Sequence, residues 1–140
     1  MNRDPALTAA LINRLALGAM FVSHGLLKVF VFTLPGTVGF FQSVGFPGWT
    51  AYLVTAAEIA GGAALILGVR TRLVSAALLP VLLGALYVHL GNGWLFSAPN
   101  GGWEYPAFLT AATVVQALLG NGAYALANLR AERRPQLQAA

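Results

Sequence analysis

Two long apolar runs, each holding one or two ionisable residues, constrain this chain more than any other feature. Leu15 to Leu34 gives 20 residues interrupted only by His24 and Lys28, and Ala51 to Val69 gives 19 with Glu58 as the sole charge. A bilayer hydrocarbon core of about 30 Å takes ~20 apolar residues in helical form, so both runs predict membrane-spanning helices. Leu73 to Leu90 adds 18 uncharged residues, and Tyr105 to Leu119 adds 15 before Gly120-Asn121-Gly122. With Trp103 and the glycines included, the fourth run covers 103–126. The expected fold is therefore all-α, a four-helix transmembrane bundle over residues 1–128 with spans at about 15–34, 51–69, 73–90 and 103–126. Residues 129–140, with Arg130, Arg133, Arg134 and Pro135, read as a polar cytoplasmic tail.

Composition agrees with that expectation. Of 140 residues 58% are hydrophobic and 9% are charged, against about 25% charged in an ordinary soluble domain. So few charges cannot cover a water-facing surface of this size. The absence of cysteine excludes disulfides, thiol relays, iron–sulfur clusters and thiolate zinc sites. The net charge of +4 is spread along apolar stretches without interleaved exposed aromatics, so no nucleic-acid partner is expected. Lys28 interrupts the first run and no small-residue cleavage site follows it, which argues against a cleavable signal peptide.

Arginine placement gives an orientation. Arg3 and Arg14 precede the first span, Arg70 and Arg72 lie in the second turn, and Arg130, Arg133 and Arg134 follow the fourth. The positive-inside rule then places both termini and that turn in the cytoplasm, with connections 35–50 and 91–104 facing outward. The bilayer is accordingly the first expected partner.

The remaining ionisable residues gather on the outer side. At 1.5 Å per residue, Lys28 lies ~9 Å and His24 ~15 Å from the outer end of span one, and Glu58 lies ~10 Å into span two. His89 and Glu104 end span three and open span four. His24 and Lys28 are four apart and share a helix face. Glu58 shares its face with Gly61 and Gly62, where a neighbouring helix or a flat ligand can approach the backbone.

A charge at such depth costs roughly 2.5–3.5 kcal/mol, so Lys28 and Glu58 should face inward and pair. Two readings stand: a pair that only fixes packing, or part of a functional site with the other three residues. Taken singly, His24 fits a hydrogen-bonded interior histidine, His89 an interfacial residue and Glu104 a helix-start acid favoured by the helix dipole. A haem held by both histidines meets a depth mismatch of ~13 Å. A metal on His89 and Glu104 has only two identified ligands, so none is expected.

The sequence also contains His24-Gly25-Leu26-Leu27-Lys28, Val44-Gly45-Phe46-Pro47, Glu58-Ile59-Ala60-Gly61-Gly62 and Leu67-Gly68-Val69-Arg70-Thr71-Arg72. With His89, Glu104 and Gly120-Asn121-Gly122-Ala123-Tyr124-Ala125-Leu126, this combination resembles the DoxX-like family of small four-helix membrane proteins over about residues 11 to 127. Asn121 and Ala127 stand where that family has a proline and an acid. The resemblance implies a bacterial membrane protein whose relatives include a thiosulfate:quinone oxidoreductase subunit and a component of a membrane oxidoreductase complex.

The expected function is a membrane oxidoreductase component with a quinone-type ligand in the outer half of the bundle. In that expectation His24, Lys28 and Glu58 are catalytic, and Gly61, Gly62, His89 and Glu104 bind the ligand. The alternative is a non-catalytic subunit that anchors or stabilises a partner redox enzyme or forms a homo-oligomer, for which the small residues Ala57, Ala60, Gly61 and Ala64 provide a contact stripe. A pore fits less well, because the polar groups stop at mid-depth.

Overall fold

A capping aspartate followed by proline begins the first helix. Asp4 accepts a hydrogen bond from the Ala6 N–H at 2.9 Å, and Pro5 occupies a first-turn position where its missing N–H costs nothing. This computed structural model describes residues 4–128, among which all regular elements are helical. They are α1 (Pro5–Phe30), α2 (Leu34–Ser43), α3 (Thr50–Leu67), α4 (Thr71–His89), a 3-10 turn (Leu90–Asn92) and α5 (Glu104–Leu119). Arg3, Arg130, Arg133, Arg134 and the expected tail lie outside the described residues.

Three of these helices are long and apolar enough to cross a membrane: Pro5–Phe30, Thr50–Leu67 and Thr71–Asn92 with its 3-10 extension. The expected fourth, 103–126, is a 16-residue helix that stops at Leu119. It stops there because Gly120 takes φ 83 and ψ −145, a conformation open essentially to glycine alone. The expected first span, 15–34, is displaced: the aspartate cap starts it ten residues earlier, and it ends at Phe30. Beyond it, Thr33 adopts φ 62 and caps α2 by accepting from the Gly36 N–H. The 35–50 connection therefore carries a ten-residue helix.

α1 and α3 run antiparallel in close contact, with Lys28 beside Glu58 at one end and Arg14 beside Leu65 and Ile66 at the other. Glycines allow this approach. A Cβ on Gly18 would lie 2.8 Å from the Gly62 carbonyl oxygen, and a Cβ on Gly62 would lie 2.8 Å from the Gly18 carbonyl oxygen. α4 packs along α5, and α3·α4 and α1·α5 contacts complete a ring around Leu17, Phe21, Leu65, Leu78 and Leu82. Large apolar residues such as Ile12, Leu53, Leu73, Leu83, Phe108 and Leu118 point outward and are exposed. A surface of that kind suits lipid, where outward apolar side chains have no desolvation to avoid.

Arg14 corrects an expectation. Rather than marking the aqueous side before a span, it lies within α1 and is 1% exposed. Its guanidinium donates to the carbonyls of Leu65 at 3.0 Å, Ile66 at 2.9 Å and Ala123 at 3.1 Å. The last-turn carbonyls of α3 carry the negative end of the helix dipole, so a cation there is well placed.

The α1–α3 seam predicts that Gly62→Ala lowers the melting temperature in detergent, by about 1–3 kcal/mol of stability, because the obstructing atoms belong to backbone. Gly39→Ala in α2, where a Cβ meets nothing within 4 Å, is expected to leave stability unchanged or slightly raised. Equal effects of the two substitutions in a thermal melt would show that the seam is not tight.

Candidate functional site

At the end of the bundle where α1 finishes and α3 starts, four helices leave a cavity of about 390 Å³, within the range of small-ligand sites. Met20, Phe21, His24 and Lys28 of α1 line it, with Val54 and Glu58 of α3 and Val81, Ala85, Val88 and His89 of α4. α5 contributes Tyr105, Pro106 and Leu109. Phe40 and Phe41 of α2 and the following Val44 and Phe46 close one side. Thr37 fastens α2 to α1: its Oγ1 lies 2.9 Å from the Thr33 carbonyl and 3.3 Å from that of Lys28.

The cavity is apolar apart from a few convergent groups. Lys28 Nζ donates to both carboxylate oxygens of Glu58, at 2.9 Å and 2.7 Å. Glu58 is 6% exposed. An ammonium has three N–H donors; two serve Glu58, and none of the described residues takes the third. Helix ends displace the expected depths. Lys28 is two residues from the end of α1 (~3 Å) while Glu58 is eight from the start of α3 (~12 Å), so the pair forms because α3 begins further out than α1 ends.

Each histidine is oriented by the backbone. His24 Nδ1 lies 2.8 Å from the Met20 carbonyl and His89 Nδ1 lies 2.9 Å from the Gly101 carbonyl. A carbonyl only accepts, so Nδ1 carries the proton and Nε2 is left as an acceptor in the neutral ring. Tyr105 stacks on His24 with ring centroids 6.0 Å apart and 25° between planes. Its hydroxyl points to Met20 Sδ at 3.4 Å.

His24, Lys28, Glu58 and His89 thus meet in one cavity, and Gly61, Gly62 and Glu104 stand outside it. Gly61 faces Leu78 and Gly62 faces α1, so both lie in helix–helix contacts. Glu104 accepts from the Phe96 N–H at 2.8 Å and pins the α4–α5 connection. That same connection supplies the Gly101 carbonyl to His89. Among the described residues no group of three or more His, Cys, Asp or Glu is arranged to hold a metal. Sequence reading missed Tyr105 and the Phe40, Phe41 and Phe46 wall. The apolar side chains within the supposed outer loop were the available signal.

The fold and site thus define a helical membrane protein with an internal, mostly apolar cavity. The DoxX family model matches residues 9–91, more than half of the chain, and the chain belongs to the DoxX family. It is 37% identical over 76 residues to a protein of Bacillus subtilis (strain 168) named "Putative oxidoreductase CatD", covering 54% of this chain and 55% of that protein. The chain thus spans about half the length of the curated relative it matches. No solved structure matches the chain.

The ion pair predicts that Lys28→Met costs about 3–5 kcal/mol, because it strands a buried carboxyl. Lys28→Met combined with Glu58→Leu should recover much of that loss, since an apolar pair leaves no unpaired charge. Denaturant unfolding of the three proteins measures both effects. A single variant as stable as the parent would mean that Glu58 is adequately solvated without lysine.

Proposed function

We propose that this protein is a component of a membrane oxidoreductase that holds a quinone-type ligand in the cavity beside Lys28. The carrying observation is an apolar, aromatic-walled space whose polar lining includes one unclaimed ammonium N–H and two backbone-oriented imidazoles. A quinone accepts two electrons and two protons to become a quinol. In this reading a partner redox enzyme supplies the two electrons. The unclaimed Lys28 N–H would donate to a ring carbonyl and favour negative charge developing on its oxygen. Nε2 of His24 or His89 would take up a proton from the aqueous side, deliver it to a reduced ring oxygen, and then accept a hydrogen bond from the quinol hydroxyl. Glu58 holds the Lys28 ammonium in place. The bacterial inner membrane, four spans and cytoplasmic ends belong to this proposal; the family and three apolar helices support a membrane protein, and the fourth span would be the 16-residue α5.

The bidentate closure of Lys28 on Glu58 also supports the second reading, a non-catalytic subunit in which the pair only locks α1 to α3. The readings separate in one set of measurements on the full chain in detergent. Titration with a short-chain quinone should saturate, and Lys28→Ala should weaken binding by about 10- to 100-fold, the range for a hydrogen bond to a charged group. Glu58→Gln should weaken it less. Absence of saturable binding, or affinity unchanged in both variants, overturns the ligand assignment. Full partner activity in Lys28→Glu with Glu58→Lys supports the anchoring subunit instead.

A further inference from the structure

At the opposite end of the bundle from the cavity, the turn between α3 and α4 and the chain leaving α5 enclose a second cleft, of about 510 Å³. Its lining includes Arg70, Thr71 and Arg72, the backbone of Gly120 to Gly122, and Asn128. The amide and hydroxyl groups are committed to one another. Thr71 Oγ1 donates to Asn121 Oδ1 at 2.7 Å, Asn121 Nδ2 to Asn128 Oδ1 at 3.2 Å, and Asn128 Nδ2 to the Gly122 carbonyl at 2.9 Å. This chain of bonds makes a fixed rear wall.

The two guanidiniums have no such commitment. Among the described residues neither Arg70 nor Arg72 has a hydrogen-bond or ion-pair partner, and the described ion pair lies at the far end, between Lys28 and Glu58. Among the described residues no carboxylate lines the cleft. Space for Arg72 is built in: a Cβ on Gly120 would lie 2.9 Å from Arg72 Nε. Leu7, Leu73 and Leu119 form the apolar margin, 48%, 62% and 41% exposed. Paired unclaimed guanidiniums match phosphate oxygens, to which arginine presents a planar fork of donors. Exposed leucines beside them match acyl chains.

We infer that this cleft binds the phosphate of an anionic phospholipid, with Arg70 and Arg72 on the headgroup and Leu73 and Leu119 along the chains. A soluble anion would use the guanidiniums but gain nothing from the leucines. A basic recess between helices at the membrane surface is a recurrent way to hold an anionic headgroup. The site lies across the bundle from the quinone proposal and does not depend on it.

The test uses the full chain in neutral detergent, titrated separately with phosphatidylglycerol, phosphatidylcholine of the same acyl chains, and inorganic phosphate. Thermal melting and native mass spectrometry give the readouts. Phosphatidylglycerol should raise the melting temperature saturably and remain bound, with phosphatidylcholine and inorganic phosphate at least tenfold weaker. Arg70→Gln with Arg72→Gln should weaken phosphatidylglycerol about 30-fold, from ~1 kcal/mol for each surface cation. Arg70→Lys with Arg72→Lys keeps the charge and removes the fork, and should retain an intermediate preference whether or not the glutamine variant folds. Equal binding of the two lipids, or unchanged preference in the glutamine variant, overturns the site. So does loss of all preference in a folded lysine variant. Inorganic phosphate binding as tightly as phosphatidylglycerol overturns the lipid assignment in favour of a free anion.

Discussion

The close antiparallel contact of α1 with α3 is the constraint from which the rest of the molecule follows. Two glycines facing each other across the helices bring backbone to backbone, and no side chain can substitute without displacing a carbonyl oxygen. In lipid such contact cannot rely on expelling water from between apolar surfaces; it depends on dispersion and on the fit of small residues. Each end of the seam is then closed by a charged side chain. Lys28 meets a carboxylate, and Arg14 meets the carbonyls at the end of α3.

The two closures differ in what accepts the charge. Arg14 is enclosed and donates to three carbonyls, with its Nε–H buried and without a partner among the described residues. Lys28 faces a cavity, with an N–H to spare and an aromatic wall opposite. Phe40 and Phe41 of α2 line one flank of that cavity. The cavity beside the ion pair thus lies at one end of the seam, and at the other end the cation is taken up by backbone carbonyls.

Helical class and the polar cluster were legible because a hydrocarbon solvent makes every ionisable residue conspicuous. His24, Lys28, Glu58 and His89 stood out as exceptions in apolar runs, and they meet in one cavity. Helix limits were less legible, since hydropathy tracks the solvent and not the hydrogen-bond ladder. The Asp4 cap, the Thr33 φ and the Gly120 turn set them instead. Gly61, Gly62 and Glu104 shared the right neighbourhood in sequence, but partners from α1, Leu78 and Phe96 occupy them. Arg14 was misplaced because the positive-inside rule counts charges without asking whether a helix end can neutralise one. Its acceptors lie on other segments and leave no mark near it in sequence.

Those acceptors carry a consequence for the order in which the chain is made. Leu65 and Ile66 follow Arg14 by 51 and 52 residues, and Ala123 follows it by 109. During synthesis from the N-terminus the first helix emerges with its guanidinium unmatched. Two acceptors arrive with α3, and the third only after α5 has been translated. Until then the arginine is best left at the water boundary, where solvent can serve it. The full set of acceptors for this guanidinium is thus complete only once the chain reaches residue 123.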